Sequence, residues 1–126
     1  MPGRTVLVVD DNPVIRKAVC ELFTREGDFE VCGEAENGRE AIKKAQLLKP
    51  ALIVTDLSMP RMNGLEETRI LKTLMPAVPV IIYSALSDPF VDKAALEAGA
   101  SAIVSKSDNV RVLIEKARQL LDEIAA

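Results

Sequence analysis

The chain has 126 residues, 48% hydrophobic and 28% charged, which suits one folded domain with its own core and excludes a disordered segment. Its net charge of -3 includes no basic cluster, so direct nucleic-acid binding is not expected, and no apolar run nears the ~20 residues of a membrane span. There is no His, and Cys20 and Cys32 stand at no metal or redox spacing, so any chemistry falls to carboxylates, hydroxyls and lysine.

No signal peptide is visible at the start, and two unpaired thiols suit a reducing compartment, so a cytoplasmic location is expected. Along the chain, apolar runs alternate with amphipathic stretches. Residues 6–9 read as a strand buried on both faces, and a helix follows from about residue 13 until Gly27 stops it. A weaker strand at 30–34 leads to a helix at 38–48, ended by Pro50. Residues 51–56 form the third strand, with a helix at 65–74 after it. The fourth strand spans 78–84, carrying Pro79 near its start, where a missing N–H is tolerated. A short helix at 88–98 is closed by Gly99, the fifth strand is 100–105, and the last helix runs over 109–124.

Five strands alternating with five helices predict an α/β fold: a flavodoxin-like, doubly wound parallel sheet in the order 2-1-3-4-5. Residues 1–126 are expected to form one domain with a core over about 5–124. Ligands of such sheets bind beyond the carboxyl ends of the strands. Those ends are polar here: Asp10 and Asp11 after the first strand, Asp56 after the third, Ser84 at the fourth and Lys106 at the fifth. In that strand order all four ends share one crevice.

The stretch V-V-D-D-N-P sets two carboxylates side by side at the end of a buried strand. Asn12 and Pro13 suffice to cap a helix, so capping leaves Asp10 and Asp11 unexplained. Three aspartates at one mouth repel one another, and a hard divalent cation with oxygen ligands removes that repulsion; Mg²⁺ suits two or three Asp plus water. A cation, an ammonium and a hydroxyl converging on one Asp can support phosphoryl transfer, which needs charge neutralisation and positioning above all. Asp56 could equally begin a loop rich in turn residues, and Lys106 could be a solvated strand end. Four such accidents on one sheet edge are a poor alternative.

V-V-D-D-N-P, L-I-V-T-D-L-S-M-P-R-M-N-G, V-I-I-Y-S-A and A-G-A-S-A-I-V-S-K together resemble the receiver domain of bacterial two-component response regulators. The resemblance implies Asp56 as phosphoacceptor and Asp10, Asp11, Asp56 and the Ser58 backbone carbonyl as Mg²⁺ ligands, with Mn²⁺ as a substitute. It further implies Lys106 at the phosphoryl group, Ser84 as the hydroxyl that moves on activation, and Ala85 as the small residue leaving access. The implied donor is a sensor histidine kinase or a phosphotransfer protein. Implied outputs are a homodimer through helix 4, strand 5 and helix 5, or a DNA-binding domain outside this chain. No turnover enzyme and no membrane contact are implied.

Two positions depart from the family pattern. Ile103 stands where a switching Tyr or Phe is common, so switching falls to Ser84 and the backbone. Ser107 stands where Pro often follows the lysine in a cis bond; before a non-proline residue cis costs ~2.5–4 kcal/mol, so trans is expected. Two other readings compete on the residues alone. A Mg²⁺-dependent phosphohydrolase with an Asp nucleophile would need a cap or substrate pocket. A flavodoxin-like cofactor binder would need a phosphate-cradling loop where D-D-N-P is acidic.

Overall fold

The computed structural model describes residues 4–59, 61–85 and 88–125. Pro60, Leu86 and Ser87 lie outside the described residues, as do residues 1–3 and 126.

Strands and helices alternate as β1 (Thr5–Val9), α1 (Pro13–Arg25), β2 (Glu30–Ala35), α2 (Gly38–Leu48), β3 (Leu52–Thr55), α3 (Gly64–Leu74), β4 (Val80–Ser84), α4 (Pro89–Glu97), β5 (Ala102–Ser105) and α5 (Val110–Ala125). The strands form one parallel sheet in the order β2-β1-β3-β4-β5, the flavodoxin-like arrangement expected from the alternation. No helix is long and apolar enough to cross a membrane among the described residues.

Side-chain alternation along the strands divides the core. Val6, Val8, Val54, Ile81, Tyr83 and Val104 point to one face, where Val19, Leu22 and Phe23 of α1 and Leu113, Ile114 and Ala117 of α5 cover them. Leu7, Val9, Ile53 and Val80 point to the other, under Ala41 and Ala45 of α2 and Leu71 of α3. Leu57, Ile82, Ala95 and Ala100 continue that second layer beneath α4. Central strands buried on both faces explain why β1, β3 and β4 are nearly unbroken apolar runs. Cys20 packs with the first layer and Cys32 with the second, so the sheet separates the two free thiols.

Strands β3, β4 and β5 begin one or two residues later than their apolar runs suggest. Pro79 has no N–H to donate, and its carbonyl accepts from Ile53 N at 3.1 Å just before the β4 ladder begins. Ser101 closes the same end of the sheet: its N–H donates to the Val80 carbonyl, and its hydroxyl accepts from Val80 N. At β2 the register against β1 steps from Val31 to Gly33, leaving Cys32 as the extra residue of a bulge.

Local signals set the helix ends. The Asn12 side chain accepts from Val14 N at 2.9 Å and Ile15 N at 3.2 Å with Pro13 at the first helical position, so it caps α1 without either aspartate. Gly27, at φ 76°, takes the left-handed conformation that lets the chain turn back into β2.

Candidate functional site

The carboxyl ends of the strands bring together most of the residues singled out in the sequence. Carboxylate oxygens of Asp10, Asp11 and Asp56 all lie within 4.8 Å of one another. Asp10 and Asp56 are buried, whereas Asp11 is exposed at the rim. The Asp10 N–H donates to Ala35 O and the Asp56 N–H to Val9 O, so ladder-like bonds from neighbouring strands hold both at the sheet edge. Asp10 Oδ1 accepts from Asn12 N at 2.9 Å, and Asp56 Oδ1 from Leu57 N at 2.8 Å.

Lys106 closes the cluster. Its Nζ lies 3.0 Å from Asp10 Oδ2 and 3.3 Å from Asp56 Oδ1, bridging β1 and β3 from the end of β5. Its backbone N–H donates to the Ser84 carbonyl at 2.8 Å, which ties the β5 end to β4. Burial opposes the ammonium charge, yet the hydrogen bonds and charges of Asp10 and Asp56 together outweigh it and hold Lys106 above the usual lysine range. Asp56 moves the other way for a paired acid. Burial, then the nearby Asp10 charge, raise its carboxyl above the ordinary aspartate value despite Lys106.

Ser84 is buried at the end of β4, paired in register with Ser105, and Ala85 beside it is exposed. Ser58 lies exposed in the loop after Asp56. Ile103 is half-buried against Leu57, Ile82, Ala95 and Ala100 under α4, with no aromatic ring to swing. All described peptide bonds are trans, including that before Ser107.

Three contributors were not read from the sequence. Arg16, one turn into α1, donates to the Asp10 backbone carbonyl at 2.7 Å and pairs with Glu34 of β2 at 3.1 Å, so it clamps the acidic turn from behind. Tyr83 places its ring 5.9 Å from Lys106 Nζ, within cation–π reach. Glu67 of α3 is fully buried, with Oε1 2.7 Å from the Thr55 hydroxyl. A signal for Glu67 did exist: Gly64, Glu67, Thr68 and Leu71 form the core stripe of α3, and an acid on such a stripe is a buried acid.

Gly64 marks where α3 starts against the site. A β-carbon there would collide with the Asp56 carbonyl oxygen and stand 3.0 Å from Leu57 Cα, both backbone and unable to turn aside. Gly64→Ala is expected to push α3 off the Asp56 loop and lower stability by ~1–3 kcal/mol, the usual range for overpacking. Thermal unfolding checks it; an unchanged Tm would show that the helix start yields freely.

A hard cation fits the donor set. Three carboxylates within 4.8 Å supply oxygen alone, and one of them, Asp11, is open to solvent, as a partly hydrated Mg²⁺ requires.

Known proteins give this arrangement a context. The family model described as response regulator receiver domain matches residues 6–118. A protein-glutamate methylesterase/protein-glutamine glutaminase of Nocardioides sp. is 45% identical over 112 residues, covering 87% of this chain and 31% of that protein. Chemotaxis protein CheY of Thermotoga maritima is 36% identical over 104 residues, covering 82% of this chain and 86% of CheY. Among solved structures, the response regulator domain of Thermotoga maritima CheB superposes with a TM-score of 0.88 at 31% identity, covering 94% of this chain and 96% of that one. The chain spans about a third of the length of the methylesterases it matches.

Proposed function

Because the chain belongs to the response-regulator receiver family of two-component signalling, we propose that it is a switch operated by phosphorylation of Asp56. The observation that carries this reading is the convergence of Asp10, Asp11 and Asp56 with Lys106 on one sheet edge. Residues 5–124 act as one receiver unit.

Asp56 is held through Oδ1, by the Leu57 N–H and by Lys106, so Oδ2 is the oxygen offered as nucleophile. It attacks phosphorus while the bond from phosphorus to the donor's imidazole nitrogen breaks, giving an aspartyl phosphate and a free histidine on a sensor kinase or phosphotransfer protein. Asp10, Asp11, Asp56 and the Ser58 carbonyl would hold Mg²⁺, which neutralises phosphoryl charge when bound; Mn²⁺ substitutes on the same ligands. Lys106 exchanges its contact with Asp56 Oδ1 for the phosphoryl oxygens, and the Ser84 hydroxyl moves in to donate to them. Small Ala85 keeps the approach open. With Ile103 aliphatic, the Ser84 loop carries the signal to α4, β5 and α5, the face offered to an output domain or to a second copy. The product stays on the protein, so the reading is of a switch and not of a turnover enzyme.

Incubation with acetyl phosphate is expected to raise the intact mass by one phosphoryl group, only with Mg²⁺ present, and Asp56→Asn is expected to abolish the gain. Asp11→Asn should need a higher Mg²⁺ concentration for the same yield. Stable labelling of Asp56→Asn would overturn the assignment.

A further inference from the structure

One hydroxyl stands between two oxygen acceptors behind the site. Thr55 Oγ1 lies 2.7 Å from Glu67 Oε1 and 3.0 Å from the backbone carbonyl oxygen of Asp56. A threonine hydroxyl has a single proton. Both contacts are full hydrogen bonds only when Glu67 brings a proton of its own. The Glu67 O–H then donates to Thr55 Oγ1, and the Thr55 O–H donates to the Asp56 carbonyl. Burial favours the same state. Thr55 and Glu67 are both inaccessible to solvent, and Glu67 Oε2 has no hydrogen-bond partner among the described residues. A carboxylate in that place would keep a charged oxygen unsolvated, whereas the neutral acid leaves only a carbonyl-like acceptor unmet.

The acceptor at the end of this relay matters because of the peptide to which it belongs. The Asp56 carbonyl and the Leu57 N–H are two ends of one planar peptide unit. The N–H end donates to Asp56 Oδ1 at 2.8 Å and so orients the carboxylate. Fixing the carbonyl end fixes the orienting end. We propose that Glu67, as the neutral acid, is a positioning residue for Asp56: it passes a hydrogen bond through Thr55 to the Asp56 carbonyl and so holds the peptide that aims the reacting carboxylate. The proposal rests on Asp56 being the phosphoacceptor. Ionised Glu67 draws the Thr55 proton to itself, and the Asp56 carbonyl loses its donor.

Burial pushes the Glu67 carboxyl up to about 8, with the Thr55 hydroxyl alone opposing it. On the strand side the charged groups are Asp56 and, around it, Asp10 and Lys106. Glu66 and Arg69 are neighbours on α3, and the flanking helices carry Lys43 and Lys44 on α2 and Asp92 and Lys93 on α4. None of these charges is a cause of the shift. The titration is therefore set by burial against the Thr55 hydrogen bond, with no neighbouring charge contributing.

The test follows acetyl phosphate labelling of the full chain with Mg²⁺ from about pH 6.5 to about 9.5, across that midpoint, each protein normalised to its own rate at the acid end. Wild type is expected to lose roughly three- to ten-fold as Glu67 ionises, the worth of about one hydrogen bond. Glu67→Gln keeps its rate through that range, since its amide N–H donates to Thr55 and cannot ionise. Thr55→Val breaks the relay at every pH and shows no step. In parallel, the ¹³C resonance of the Glu67 carboxyl should titrate near 8, with the Leu57 amide moving in step in wild type alone. A Glu67 midpoint near the ordinary 4.5 would overturn the proposal, as would a constant ratio of wild-type to Glu67→Gln rates. Failure of all three proteins to label at any pH would instead overturn the phosphoacceptor reading and the relay's role with it.

Discussion

Lys106→Met is expected to destabilise the protein by roughly 3 kcal/mol at pH 7 in the absence of divalent cations, since removing one partner of a buried charge cluster strands the others. Two carboxylates face one ammonium here: Lys106 Nζ is 3.0 Å from Asp10 and 3.3 Å from Asp56, whose side chains are only 5% and 11% exposed. Methionine fills similar space but leaves two buried like charges without a counter-ion. The loss corresponds to a fall in Tm of roughly 10 °C for a domain of this size.

The pH dependence has a definite sign. Asp56 in the folded protein already titrates above its unfolded value, through burial and the Asp10 charge, with Lys106 opposing. A raised acid contributes stability at low pH that is lost as pH rises through its folded pKa. Removing Lys106 raises that pKa further, so the deficit of the variant opens with rising pH and nearly closes in acid. Mg²⁺ should narrow it as well, because Lys106 already neutralises the acidic pair in wild type, so the cation binds the variant more tightly and stabilises it more. Chemical denaturation of both proteins at several pH values, with and without Mg²⁺, measures each part. Equal stability without Mg²⁺ at pH 7 would show that Lys106 does not hold the acidic pair together.

Glu67→Gln carries the second large effect, read as a slope against pH. The folded pKa of Glu67 is about 8, from burial, and the reference value is 4.5. Folding therefore takes up a proton between those limits, and stability falls by roughly 1.4 kcal/mol for each pH unit between them. The favourable state is fully present below the unfolded value and gone above the folded one. Glutamine has no proton to lose, so the variant should lack this part of the slope and overtake wild type as pH rises towards 8. Parallel stability curves for the two proteins from pH 5 to pH 8 would show that Glu67 titrates normally.

Much of the site was legible because it depends on short-range rules. Val6 to Val9 is an apolar run ended by aspartates, and period-two alternation with parallel crossovers sends every strand end to the same edge. Asp10, Asp56, Ser84 and Lys106 are found there because each ends a strand, whatever its neighbours. Asn12 caps α1 within three residues of itself, so its role too could be assigned from spacing. Strand starts were less well placed, because Pro79 and Ser101 close the far edge through bonds between strands.

The chain alone established the fold, the acidic edge, the capping of α1 and the lysine that ends β5. The tertiary structure decided how those groups are partnered: Lys106 bridges two aspartates, Arg16 clamps the Asp10 carbonyl, and Thr55 lies between Glu67 and the Asp56 carbonyl. It also decided that Asp10 is buried and Asp11 exposed, although the two are adjacent in sequence. The physical reason is range. Periodicity and capping act over a turn or a strand, whereas a hydrogen bond between α3 and β3 requires two elements packed to within a few tenths of an ångström, and that fit exists only once the whole core has closed.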